Sequence, residues 1–446
     1  MLVSYFFYMH MQPIYALLLV FVTIVTYLCT NWISITEDER KRRRIQVSGI
    51  VLVLLPLLFF KYFSVINNGI SDLFVNYGVA LSLPKIELLL PVGISFYTFM
   101  AVSYIVDIYN ETVECEKNIG SVGLFLSFFP LVLSGPIERG GNLFPQFKNM
   151  SHSKYSDLVM GAKLMMWGYF MKLCVADRLG LYVDVVFNNI ANHNGSTLML
   201  ASALYPFQVY ADLGGYSLIA MGVARSIGIS IMPNFSRPFY ATSMSELWRR
   251  WHMSLISWLT DYIYTPLSFA MRGWKIWGIV IALMLTFLIS GLWHGAASTF
   301  IVWGLIQGIY LSVEAIVQGP RTRFETKYKL KQRWWYIVIC CAIVFILFAF
   351  SQIFAHCDNL NTAFTVISKM LVSQGPLYME KEMLGQAGVC LTTLLLKDFI
   401  DEFYPNSIHL FNNRHMCVRW VSYMLVIVMI LSLGVLDSGQ FIYFQY

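Results

Sequence analysis

The sequence predicts an all-α, polytopic membrane protein with about 10–11 membrane-embedded helices, counting about 20 apolar residues per crossing. Three observations carry that prediction. Of the 446 residues, 57% are hydrophobic and only 13% are charged, whereas soluble domains carry about 25% charged residues. Long runs such as Ile276 to Trp293 and Trp334 to Ala355 contain no Asp, Glu, Lys or Arg. The net charge of +6 is clustered: Arg40, Lys41, Arg42, Arg43 and Arg44 form one block, and Arg321, Arg323, Lys327, Lys329, Lys331 and Arg333 form another. A single water-facing globule is excluded, because it has too little interior to hide so much apolar surface. The two basic blocks fall between apolar spans, where the positive-inside rule accounts for them without nucleic acid.

In chain order, Gln12 to Trp32 reads as a first span and the Arg40–Arg44 block as a cytoplasmic loop. Ile45 to Ile66 runs outward, and Ile86 to Val106 returns with Pro91 and Gly93 inside it. Ile119 to Gly135 is apolar but short, and reads as re-entrant or oblique. Leu158 to Ala176 follows, with Lys163 and Lys172 as long side chains able to reach the interface. Leu198 to Ile227 is apolar but interrupted by Asp212, Gly214, Gly215 and Arg225. Asn234 to Lys275 is rich in Trp, Tyr and Arg and reads as interfacial or re-entrant. Ile276 to Trp293 spans, Phe300 to Val317 spans back and stops before the second basic block, and Trp334 to Ala355 runs outward. A weaker span near Gln386 to Phe399 and one at Val418 to Leu436 complete the set. The alternation closes and places His294 toward the outer half of the membrane. Residues 1–446 read as one domain, with irregular embedded segments around a central tunnel, where protein or water satisfies the freed backbone groups.

The eight cysteines show no C-x-x-C pair and no zinc spacing, so they read as small buried hydrophobes. No G-x-S-x-G elbow, P-loop or dinucleotide fingerprint is present. Chemistry must therefore come from polar groups at membrane depth, which cost about 2.5–3.5 kcal/mol each on insertion scales. His294, His252, Asp261 and Asp212 are the candidates. His294 ends an apolar span and is followed by Gly295, which leaves room for a substrate; its imidazole suits removal of a proton from an alcohol. Locally, an interfacial helix cap explains His294 as well. His252, in Trp248-Arg249-Arg250-Trp251-His252, reads equally as part of an aromatic belt. Asp261 has Arg249, Arg250 and Arg272 as possible ion-pair partners. Metal binding is not expected, since no third ligand stands near the two histidines.

Taken together, these blocks resemble the membrane-bound O-acyltransferase family, in its bacterial branch serving alginate O-acetylation and teichoic-acid D-alanylation. The likeness runs through Leu90-Pro91-Val92-Gly93-Ile94-Ser95-Phe96-Tyr97, Ser134-Gly135-Pro136-Ile137, Gly215-Tyr216-Ser217, Asn234-Phe235 and Arg237-Pro238-Phe239. It continues through Trp248-Arg249-Arg250-Trp251-His252, Asp261-Tyr262, Ser290-Gly291-Leu292-Trp293-His294-Gly295 and the ending Phe441-Ile442-Tyr443-Phe444-Gln445. It covers nearly the whole chain.

The resemblance implies an acyltransferase with His294 as catalytic base and His252 as its polar partner, and with Trp293, Trp251, Asp261 and Asp212 around the substrate tunnel. It implies no bound cofactor. An acyl thioester, on coenzyme A or a carrier protein, is the co-substrate, and the acyl group is expected to be acetyl. The acceptor is a hydroxyl of an exported polysaccharide or of a partner protein, and the location is the cytoplasmic membrane of a bacterium. Three departures stand out. Thr260 occupies the place of the family's Arg before Asp261-Tyr262. Ser268-Phe269-Ala270-Met271 replaces a Gly-Gly-Asn-Arg stretch. Ser4 to Tyr8 resembles the end of a second apolar segment, as if a first span lay upstream. A transporter or flippase, or a scaffold delivering acyl groups to an exported partner, is the competing reading, since broken helices and embedded charges serve transport too.

Overall fold

A computed structural model describes residues 1–76, 90–149, 153–405 and 410–436. The start of the expected third span and the Phe441–Gln445 ending lie outside them. Every regular element among the described residues is helical. In a membrane this follows from backbone chemistry: a helix satisfies its own N–H and C=O groups where no water can. Among the described residues, eight segments are long and apolar enough to cross, and the protein is a multi-pass membrane protein.

The chain divides into two compact units. The first, residues 1–157 with 227–232, contains α1 (Leu2–Met11), α2 (Ala16–Ile35), α3 (Glu39–Asn76), α4 (Ile94–Tyr109), α5 (Ile119–Ser127) and α6 (Gly140–Lys148). Buried Thr23, Thr26 and Thr30 of α2 donate their hydroxyls back to carbonyls four residues earlier. An apolar face can thus carry polar atoms at no cost in unpaired groups. The Arg40–Arg44 block is not a loop but the first turns of α3. Ile119 to Gly135 is not one continuous helix: α5 stops at Ser127, and residues 128–135 form buried turns.

The second unit, residues 158–226 and 233–445, holds the candidate site. It takes in most of α7 (Tyr155–Tyr169), which passes through a π-helical turn at Phe170–Ala176 into α8 (Asp177–Asn188). Then come α9 (Gly195–Ser226), α10 (Met244–Arg250), α11 (Met253–Leu259), a second π-helical turn at Thr260–Tyr264, and α12 (Thr265–Ala270). The long helices α13 (Ile276–His294), α14 (Ser298–Lys327), α15 (Trp334–His356), α16 (Leu360–Val372), α17 (Lys381–Phe403) and α18 (Met416–Leu433) complete it.

Glycine sets the packing of α7 on α9. A Cβ on Gly161 would lie 2.5 Å from the Gly222 carbonyl oxygen, and one on Gly168 would lie 2.6 Å from that of Gly215. Lipid provides no hydrophobic drive for helix association, so close backbone approach through small residues supplies the contact. The α14 helix runs beyond Val317 and carries Arg321, Arg323 and Lys327 itself, so half of the second basic block is helical rather than loop.

Candidate active site

The α13–α14 hairpin positions His294. Gly291 on α13 and Gly304 on α14 let the two backbones meet: a Cβ on Gly291 would lie 2.3 Å from the Phe300 carbonyl oxygen, and one on Gly304 would lie 2.4 Å from that of Phe287. His294 is the last residue of α13, and only residues 295–297 separate it from α14. The short connection brings α14 side chains alongside the imidazole. The Trp303 ring stands edge-on at 4.9 Å, Phe300 stacks at 6.2 Å, and Trp293 is edge-on at 4.8 Å. The His294 ring is half-buried within this aromatic wall.

Gly295 makes a close contact that its sequence context does not reveal. Its backbone is extended, at φ −167°, which any residue adopts. A Cβ there would lie 2.2 Å from the Phe300 ring. The absence of a Cβ is what lets the Phe300 ring pack against Gly295.

His252 lies between α10 and α11 in the left-handed region, φ 46° and ψ 48°. A non-glycine residue there costs on the order of 1–3 kcal/mol and persists only when its surroundings fix it. Asn234 does the fixing. Its backbone carbonyl accepts from Met253 N at 2.8 Å. Its Oδ1 accepts from Ser254 N at 3.2 Å and Ser254 Oγ at 2.8 Å, and its Nδ2 donates to Ser217 Oγ at 3.3 Å. The Ser254 amide can only donate, so it identifies the Asn234 oxygen. His252 Nδ1, 3.2 Å from that same oxygen, must then carry the proton, which leaves a lone pair on Nε2. Burial pushes the His252 imidazole down to about 4, so it is neutral at physiological pH.

Trp293 connects the two histidines. Its ring meets His252 edge-on at 6.3 Å and His294 at 4.8 Å. Trp251 is packed elsewhere in the same unit. It is buried in the hydrophobic core against Phe348 at 4.8 Å and Phe235 at 5.2 Å.

The two aspartates have other surroundings. Asp212 is buried and accepts from Lys172 Nζ at 2.6 Å, while the same ammonium lies 2.8 Å from Asp177. Lys172 therefore does not reach for the interface; it is buried on the π-helical turn between two carboxylates. Asp261 is exposed on the second π-helical turn. Of the arginines considered for it, Arg250 pairs with Glu246 at 2.7 Å and Glu402 at 2.9 Å, and Arg272 lies over the Phe269 ring at 4.2 Å.

A cavity of about 270 Å³ adjoins this arrangement. Asn234 and Ser217 form part of its wall, so it reaches the amide that holds His252. Lys163, Arg237 and Lys397 supply cations, with Asp398 and Asp401 beside them. Sequence reasoning singled out neither Trp303 nor the bonding role of Asn234. The repeated aromatic residues of α14 and an Asn preceding Phe235 were the only local signals.

Comparison with known proteins agrees with this picture. Residues 5–356 match the model of the membrane-bound O-acyltransferase family. The chain is 30% identical over 414 residues to "Probable alginate O-acetylase AlgI" of Pseudomonas aeruginosa, covering 91% of this chain and 75% of that one. It is 28% identical to the peptidoglycan O-acetyltransferase of Helicobacter pylori, covering 84% and 73%. It is 27% identical to the teichoic acid D-alanyltransferase of Bacillus subtilis, covering 59% and 67%. A multi-pass helical chain with two histidines set about one buried indole, matched by the family model over residues 5–356, belongs to the membrane-bound O-acyltransferase family and is an O-acyltransferase.

Proposed function

We propose that this protein transfers an acetyl group from a cytoplasmic thioester to a hydroxyl of an exported polysaccharide, directly or through a partner protein, with His294 as general base. The observation that carries the proposal is the contact of both histidine rings with Trp293. It joins two titratable groups from separate segments at a buried site, where their cost is otherwise unexplained. The acetyl group and polysaccharide acceptor are supported by relatives named as an alginate O-acetylase and a peptidoglycan O-acetyltransferase.

The reaction balances without a cofactor. His294 accepts the hydroxyl proton as the oxygen attacks the thioester carbonyl. The tetrahedral adduct collapses and expels the thiolate, which takes the proton from the imidazolium and leaves as the free thiol. His252 is neutral and protonated on Nδ1, so Nε2 accepts a hydrogen bond. That suits it to orient the acceptor hydroxyl rather than to polarise the carbonyl, which needs a donor. We place the thioester donor in the cavity beside Asn234, in whose wall Lys397 is paired with Asp401 and Arg237 with Glu402. His294 precedes the start of α14 at Ser298 and the Arg321–Arg333 block begins near its far end, about 35 Å along the helix at 1.5 Å per residue. With the block on the cytoplasmic side, the base faces the exported acceptor.

The test is incubation of membranes containing this protein with acetyl-labelled acetyl-CoA and candidate polymers. Label in polymer supports direct transfer. Label in a partner serine alone supports a relay. Absence of label from acetyl-CoA, with label from an acyl-carrier donor, overturns coenzyme A as the donor.

A further inference from the structure

A groove of about 620 Å³ runs between α14 and α15, away from the histidines. Its walls are Ile309, Val313 and Val317 on one helix and Ile339, Ile343 and Leu347 on the other. Several of these are largely exposed, Ile343 at 52% and Val313 at 53%, so the groove opens outward along the helix pair. From Ile309 to Arg321 it extends about 18 Å at 1.5 Å per residue. The hydrocarbon of one leaflet is about 15 Å deep, half of a 30 Å core. The groove therefore has the length of one leaflet's acyl chain.

One end of the groove is polar and fixed. Buried Glu325 accepts from Arg321 Nε and from the Tyr336 hydroxyl, both at 2.7 Å, with Lys331 at 3.3 Å. Arg321 also donates to the Thr242 carbonyl at 2.9 Å. Glu314, on the groove wall, is occupied as the cap of α10: it accepts from Met244 N at 2.8 Å, Ser245 N at 3.2 Å and Ser245 Oγ at 2.5 Å. Its carboxylate still counts against the cations nearby, with that of Glu325. Just past this end, Arg323, Lys327, Lys329 and Arg333 are exposed. Residues 321–336 contain six Lys and Arg side chains against the single carboxylate of Glu325.

We propose that this groove is a binding site for an anionic phospholipid, one acyl chain lying between α14 and α15 and the phosphate headgroup against the Arg323–Arg333 cluster. An apolar channel one leaflet long that ends in a surplus of cations matches that ligand in both shape and charge. Basic pockets between transmembrane helices on the cytoplasmic side recognise anionic headgroups by this chemistry. The site is independent of the His294 chemistry.

The test is native mass spectrometry of the full chain in detergent, incubated with phosphatidylglycerol and phosphatidylethanolamine of identical chains in equal amounts. The expected result is several-fold preference for phosphatidylglycerol in the adducts. Arg323→Gln/Lys329→Gln/Arg333→Gln should erase the preference. Ile343→Trp or Ile339→Trp, which fill the groove from exposed positions, should reduce binding of both lipids while melting stays at the wild-type temperature. Equal retention of the two lipids overturns the proposal. So does undiminished binding of both lipids in both tryptophan variants, or a lipid-free dimer that either tryptophan disrupts.

Discussion

Asn234 and His252, eighteen residues apart, are joined through Asn234 Oδ1 and His252 Nδ1 at 3.2 Å, and that bond fixes which nitrogen of the imidazole carries its proton. Asn234→Ala removes the acceptor and leaves the buried His252 and Ser254 donors unpaired, at about 1–3 kcal/mol for each group. The expected outcome is a lower melting temperature and a fall in kcat larger than any change in donor KM. Steady-state kinetics on purified variant and wild type check it.

The neutrality of His252 has a pH signature. In the unfolded chain an imidazole takes up a proton below about 6.5, whereas burial holds the folded group near 4. Lowering pH from 6.5 towards 4 therefore favours the unfolded state, and the stability contributed by the neutral form is fully present only above 6.5. Melting temperature should fall over that window. His252→Gln, which keeps a polar side chain but cannot titrate, should flatten the fall.

The Lys172–Asp212–Asp177 ion group should behave asymmetrically. Lys172→Met leaves two carboxylates in a buried place with no cation between them, a loss of about 3–5 kcal/mol by the measure of broken buried pairs. Asp212→Asn leaves Lys172 paired with Asp177 and should cost clearly less. Thermal unfolding in detergent separates the two.

Gly295 and Phe300 form a steric pair. Gly295→Ala places a Cβ 2.2 Å from the Phe300 ring and should displace His294 from Trp303, with loss of activity. Phe300→Ala in the same chain opens the space and should recover part of it. If the double variant is no better than Gly295→Ala alone, the glycine serves another purpose.

Much of the helical frame was legible because the membrane makes it so. A run free of charge from Ile276 to Trp293 becomes α13, ending one residue later at His294, and Trp334 to Ala355 becomes α15. The aromatic, basic stretch from Asn234 to Lys275 yields the short α10 and a helical run over 253–270 that passes through a π-helical turn. What escaped the sequence depends on contacts between distant residues. Lys172 looked like an interfacial side chain because its partner Asp212 is forty residues away. The π-helical turns at Phe170–Ala176 and Thr260–Tyr264 leave no periodicity signal in a uniformly apolar run. The histidines were visible as costly polar groups, but their common contact with Trp293 depends on the close approach of α13 and α14 and on the Asn234 bonds. The basic blocks read as loops between spans, yet α3 begins with the first and α14 runs into the second as far as Lys327, since Lys and Arg are good helix formers.

The account rests on His294 removing the acceptor proton, and the rate of acyl transfer by purified wild type and His294→Ala tests it most directly. With equal folded protein and saturating donor, the account predicts a loss of about 10²–10⁴ in kcat for the variant. Transfer by His294→Ala at the wild-type rate would contradict it.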